Sequence, residues 1–223
     1  MPLRALISAA IFTILAMHGL AQTQTNIELP DSTRKRLAFE LFEIYITDQH
    51  IRHTELWRAT HRLTDKETDT SRKELIGDTR DAMMLVTDSI NFDRFFNMVR
   101  QYGWPSAKRL QPYVINHNCF TITGMPILLH NPKRIVKEHD IYQLLKHEAL
   151  VGRLDKRWLA DALDKYYVFY EYRSLYGTQM KNWKRCTLGG VSIHDRQLSD
   201  SLRRDIGLPP LDENEFVTPP VAQ

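Results

Sequence analysis

Helix-length stretches with apolar residues at 3.6-residue spacing, cut by glycine and proline, restrict most strongly what this chain can fold into. Leu37, Leu41, Ile44 and Tyr45 recur at helical spacing in a segment that Asp31 or Ser32 can cap and that extends over about 31–62. A polar connection, 63–71, leads to a helix over about 72–89 bearing Leu75, Met83, Leu85 and Val86, and another over about 92–102 with Phe95, Phe96 and Val99. Gly103-Trp104-Pro105 closes it, since glycine suits the turn past a helix and proline pushes its predecessor out of helical geometry. Pro112 is placed to open a helix through His117 to about Phe120, extending toward His130 with a disturbance at Gly124-Met125-Pro126. Asn131-Pro132 breaks the chain again, and helices follow over about 139–150 and 155–164, separated by Gly152. Residues 166–172 and 188–193 are aromatic and β-branched, which suits a small antiparallel hairpin or two edge segments beside Tyr176-Gly177-Thr178-Gln179. A last helix, 195–206, ends at Gly207 and is shut off by Pro209-Pro210.

The pattern predicts a mainly α fold, a single helical domain with a small β-hairpin near Tyr176–Gln179. Its boundaries are 22–211, followed by a loose, proline-bearing tail over 212–223. Residues 1–21 have the form of a signal peptide: Arg4, an apolar run from Ala5 to Ala16, and Gly19-Leu20-Ala21 as the small-x-small cleavage pattern. The run is shorter than the ~20 apolar residues that span a bilayer. Cleavage before Gln22 would give a periplasmic or secreted protein without stable membrane insertion. Hydrophobic residues make up 43% of the chain, enough for a sizeable core.

The net charge of +3 falls to +2 when 1–21 is removed, because Arg4 is the one charged side chain lost. Basic residues are interspersed with acidic ones, and no stripe interleaved with aromatics marks a nucleic-acid surface. In an oxidising compartment Cys119 and Cys186 form either one bridge or two buried thiols, a choice that their separation in space decides. His50 and His53 share a helical face, yet no third ligand stands at a metal-binding spacing, and no metal or cofactor is expected. Phosphate-loop, GxGxxG, GxSxG and HExxH signatures are missing.

At about 100° per residue, Asp48 and Arg52 fall within about 40° of Leu41, in the middle of the apolar stripe. They are four apart and can pair, with Gln49 at the border and Glu55 on nearly the same line. Charges directed at a core require partners, so this is either a structural ion pair or a polar pocket in which Arg52 binds an anionic ligand. His117 follows Val114 at helical spacing and faces inward if Pro112 starts a helix. It is then a hydrogen-bonded core residue or a general acid or base. Tyr176, Thr178 and Gln179 gather a phenol, a hydroxyl and an amide around Gly177, as a ligand-lining cluster or a tight turn does.

These segments together resemble an uncharacterised bacterial domain family. The resemblance rests on Asp48-Gln49-His50-Ile51-Arg52, Tyr102-Gly103-Trp104-Pro105, an inward His117, Tyr176-Gly177-Thr178-Gln179, and Arg203-Arg204-Asp205-Ile206-Gly207-Leu208-Pro209-Pro210-Leu211, in that order over about 37–211. The family more often has Gln-His where this chain has Asn116-His117. The resemblance brings no activity with it. It implies that Asp48, Arg52, His117, Tyr176 and Gln179 share one pocket. The resulting expectation is an exported binding or structural envelope module that meets a small molecule or an envelope protein. The rival is a hydrolase or transferase with His117 and Asp48 as catalytic groups and Arg52, Gln49, Tyr176, Thr178 and Gln179 as ligand-binding ones.

Overall fold

Helix α1 (Asp31–His53) buries Leu37, Ala38, Leu41 and Ile44 along the stripe read from the sequence, and ends well short of residue 62. The computed structural model describes residues 28–117, 120–178 and 190–218. The described residues from Asp31 onward belong to one compact unit. The expected signal segment lies outside the described residues.

After a bend at Thr54 comes α2 (Glu55–Lys66), so the expected connection shrinks to 67–69. Asp69 caps α3 (Thr70–Tyr102) by accepting from Arg72 N at 3.0 Å. This helix of 33 residues replaces the two that were expected; at 1.5 Å per residue it is about 50 Å long. The expected break fell around Asn91, a weak helix former whose amide often competes with its own backbone. Here Asn91 Nδ2 instead donates to Ile44 O on α1 at 3.4 Å, which frees the helix to continue.

Helix α3 stops at Gly103, whose φ of 74° is left-handed and whose N–H returns to Val99 O at 2.8 Å. The next residue, Trp104, is buried, and its N–H donates to Glu148 Oε2 at 2.8 Å. Arg153 donates to both Glu148 oxygens at 2.6 Å. Arg109 Nη1 donates to the Tyr102 and Trp104 carbonyls at 2.7 and 3.1 Å. The Tyr102–Pro105 motif is thus a bend stapled to the scaffold.

A short α4 (Ala107–Leu110) leads to a turn at 111–112, and here the expected helix from Pro112 gives way to β structure. Strand β1 (Asn116–His117) pairs antiparallel with β2 (Phe120–Thr121), so His117 stands on a hairpin strand and not on an inward helix face. The β-branched and aromatic residues Val114, Ile115, Phe120, Thr121 and Ile122 favour extended backbone, and together they outweigh one well-placed proline.

Helices α5 (Met125–His130) and α6 (Pro132–Lys137) each carry proline in the first turn. Helix α7 (His139–Leu150) matches its expected span. Helix α8 (Lys156–Tyr170) runs on through the aromatic segment expected as a strand. Tyr166 extends the buried stripe of Leu159 and Leu163, and an existing helix adds residues without a new nucleation cost. Beyond it, β3 (Val191–Ser192) pairs in parallel with β4 (Phe216–Val217), and α9 (Arg196–Asp205) lies between them in sequence. The antiparallel pairing therefore joins 116–117 to 120–121, and the β pairing nearest in sequence to Tyr176–Thr178 among the described residues is parallel. The tail expected to be loose carries a capping box at Asp212 and Glu215 before β4. No described helix is long and apolar enough to cross a membrane.

A second buried carboxylate organises the chain after α8. Asp164 accepts from Ser174 Oγ and Leu175 N at 2.7 Å, from Tyr176 N and Thr178 N at 2.9 Å, and from Thr178 Oγ1 at 3.3 Å. Arg203 joins that loop to the closing segment by donating to Tyr176 O and, at 2.7 Å, to Pro209 O. Gly177 has φ 72°, and a Cβ there would meet Leu211 Cδ2 at 2.9 Å. Asp164→Ala strands three backbone N–H groups and is expected to cost about 3 kcal/mol or more in urea unfolding; an unchanged midpoint would show that the carboxylate does not hold the loop.

Candidate functional site

Asp48 is 0% exposed. Its Oδ1 accepts from Arg52 Nη1 and faces His130 Nδ1, both at 2.8 Å, and its Oδ2 accepts from Gln49 Nε2 at 2.8 Å. Arg52 spans to α3, where Nη2 donates to the two Asp88 oxygens at 2.8 and 2.9 Å. Asn131 Nδ2 caps Ile127 O at 3.0 Å, fixing the junction of α5 and α6 beside His130. The start of α5 is fixed by Gly124, where a Cβ would come within 2.2 Å of the Phe95 ring. Lys165 of α8 donates to Leu129 O at 2.7 Å. Burial pushes its ammonium below the ordinary lysine range, the Arg52 charge adds to this, and Asp88 partly opposes it.

An ionised carboxylate can only accept, so the hydrogen between Asp48 and His130 belongs to Nδ1. In neutral His130 the lone pair is then on Nε2. The ring borders a cavity of about 750 Å³. Gln49, whose amide nitrogen is used by Asp48, is the other strongly polar residue there, and Tyr45, Met125, Pro126, Leu129 and Trp158 make most of the wall. Thr123 also borders it, with Oγ1 accepting from Met125 N at 3.3 Å. On the two side chains that Asp48 holds, the polar atoms left by these bonds, His130 Nε2 and Gln49 Oε1, are both acceptors.

Asp48, Asp88 and His130 bring possible metal-ligand atoms within 4.8 Å of one another. The Arg52 guanidinium already bonds both carboxylates, so it fills the place of the cation. A metal ion would have to displace it and strip a largely buried guanidinium of both carboxylate partners, which is costly.

Among the described residues, Tyr176 and Thr178 stand apart from Asp48, Arg52 and Gln49. Asp48 and Arg52 do turn inward together, and Gln49 reaches the cavity, but the ion pair lies behind the wall rather than in it. Tyr176 is buried elsewhere, its phenol near Tyr142, which donates to Asp205. Burial raises the Tyr176 phenol far above its ordinary range, with Tyr142 adding to the effect. Thr178 borders a separate cavity of about 360 Å³ with Arg157, Asp161 and Arg203. Gln179, Cys119, Cys186 and the His117 side chain lie outside the described residues.

Asp88 and His130 were not singled out from the sequence. Asp88 was within reach: it lies four, seven and eleven residues before Phe92, Phe95 and Val99, all buried on one stripe of α3. His130 ends a helix of six residues, too short to show a period.

The chain matches no protein-family model, no curated protein and no solved structure. This is consistent with an uncharacterised family.

Asp48→Asn leaves Arg52 and His130 facing a neutral amide in a buried position. The expected loss of stability is about 3 kcal/mol in chemical denaturation, whereas Glu43→Gln, at the exposed Arg94–Glu43 pair, leaves the midpoint within error. Equal effects of the two substitutions would contradict a buried, interdependent cluster.

Proposed function

We propose that this chain is an exported binding module for a small molecule with an apolar body and one hydrogen-bond donor. The observation that carries the reading is the cavity of about 750 Å³ whose mainly apolar wall holds His130 and Gln49 side by side. That volume is within the range of small-molecule sites. Both polar residues are fixed from behind by Asp48, so they are ordered before a ligand arrives, which reduces the entropic cost of binding. A donor such as a hydroxyl or N–H satisfies the acceptors at the wall. Among the described residues an anionic head finds no cation in the wall, and Arg52 behind it is engaged with Asp48 and Asp88. A small molecule fits this concave site better than an envelope protein does. Export follows from the signal-like segment 1–21.

Binding of 4-propylphenol and of its methyl ether, 4-propylanisole, measured by calorimetry, separates the donor from the apolar body. The phenol should bind about fivefold more tightly, the worth of one net hydrogen bond. His130→Leu should remove that preference, and Leu129→Trp, which fills the cavity, should abolish both. Equal affinity for the two compounds in the unaltered protein, or binding untouched by Leu129→Trp, refutes the reading.

A further inference from the structure

The pair that orients His130 does more than a binding wall requires. A passive acceptor needs no carboxylate behind it, and a fully buried aspartate is expensive to keep. Here Asp48 fixes the ring at 2.8 Å through Nδ1, and the ring borders an apolar cavity. A carboxylate in that place sets the imidazole tautomer and stabilises the imidazolium that forms when the other nitrogen takes a proton. Asp48 is itself held by Arg52 and Gln49, and Arg52 by Asp88, so the pair is preorganised from three helices.

We propose that the cavity is a hydrolytic site for uncharged carboxylic esters with apolar substituents, in which His130 is the general base and Asp48 its positioning residue. The proposal rests on the binding reading of the same cavity, with water as the donor that His130 accepts from. The nucleophile is water: among the described residues the wall offers no serine or cysteine, and the Thr123 hydroxyl is kept as a donor. His130 Nε2 takes a proton from water while the water oxygen bonds to the ester carbonyl carbon, giving a tetrahedral intermediate. The intermediate collapses, the bond from the carbonyl carbon to the alkoxy oxygen breaks, and the proton on Nε2 passes to the departing oxygen. One ester and one water become one carboxylic acid and one alcohol, with no change of oxidation state, and Asp48 keeps its charge throughout. Thr123 also borders the cavity, and its hydroxyl can donate to the developing oxyanion. Phosphoesters are disfavoured because, among the described residues, no lysine or arginine lines the wall to meet their charge. Apolar substituents are favoured by Met125, Pro126, Leu129 and Trp158.

The test uses the mature chain with 4-nitrophenyl butyrate as substrate and 1-butoxy-4-nitrobenzene, the ether that cannot be hydrolysed, as the binding probe. His130→Gln retains an amide donor for Asp48 but no base. It should bind the ether as the unaltered protein does and lose about 100-fold in kcat/KM. Turnover should be slower in D2O and show no burst of nitrophenol. Asp48→Asn should lower kcat while the affinity for the ether stays unchanged, a split that a merely structural role for Asp48 would not produce. Turnover by the unaltered protein no greater than that of His130→Gln, with the ether bound by both, overturns the hydrolytic proposal and leaves the binding reading standing. Failure of the unaltered protein to bind the ether removes both.

Discussion

Asp48 has no access to water, so every acceptor site on its carboxylate must be met from within the protein, and that requirement fixes the positions of three helices. Arg52 answers from the same helix, Gln49 from its neighbouring position, and His130 from the end of α5. Because Arg52 also holds Asp88, α1 cannot shift along α3 without separating buried charges. The geometry of the cavity follows. His130 and Gln49 are at its wall because their other polar atoms are occupied by the carboxylate behind them.

Two other buried carboxylates act in the same way on the rest of the chain. Glu148 gathers the Trp104 N–H and Arg153 at the bend after α3, and Asp164 gathers five donors from 174–178. Backbone N–H groups in irregular segments have no ladder partner, and a buried acid is a strong acceptor for several at once. The sequence motifs consequently divide by role. Tyr102–Pro105, Tyr176–Thr178 and Arg203–Leu211 hold the scaffold together, whereas Asp48–Arg52 supports the cavity. Polar residues that stand out in the sequence need not converge on one site.

What the sequence made legible follows the range of the forces involved. The helical period placed Asp48 and Arg52 inward, because amphipathicity over α1 is a local property. It missed Asp88 when α3 was divided at Asn91, since the bond from Asn91 to Ile44 that sustains the helix is made across 47 residues. The same limit explains the hairpin at His117 and the helical Tyr166–Tyr170. In the first, a favourable proline was outweighed by the extended preferences around it. In the second, aromatic residues were carried along by a helix that already had a buried face. His130 became recognisable only when α5 was seen against α1.

The claim at the centre is that a buried carboxylate fixes the protonation pattern of the imidazole at the cavity. Nitrogen-15 chemical shifts of the His130 ring, with assignment from His130→Gln, report that pattern directly. The account predicts that neutral His130 carries its hydrogen on Nδ1 and a bare lone pair on Nε2, and that this bias is lost in Asp48→Asn. A ring protonated at Nε2, or one averaging between tautomers as free imidazole does, would contradict it.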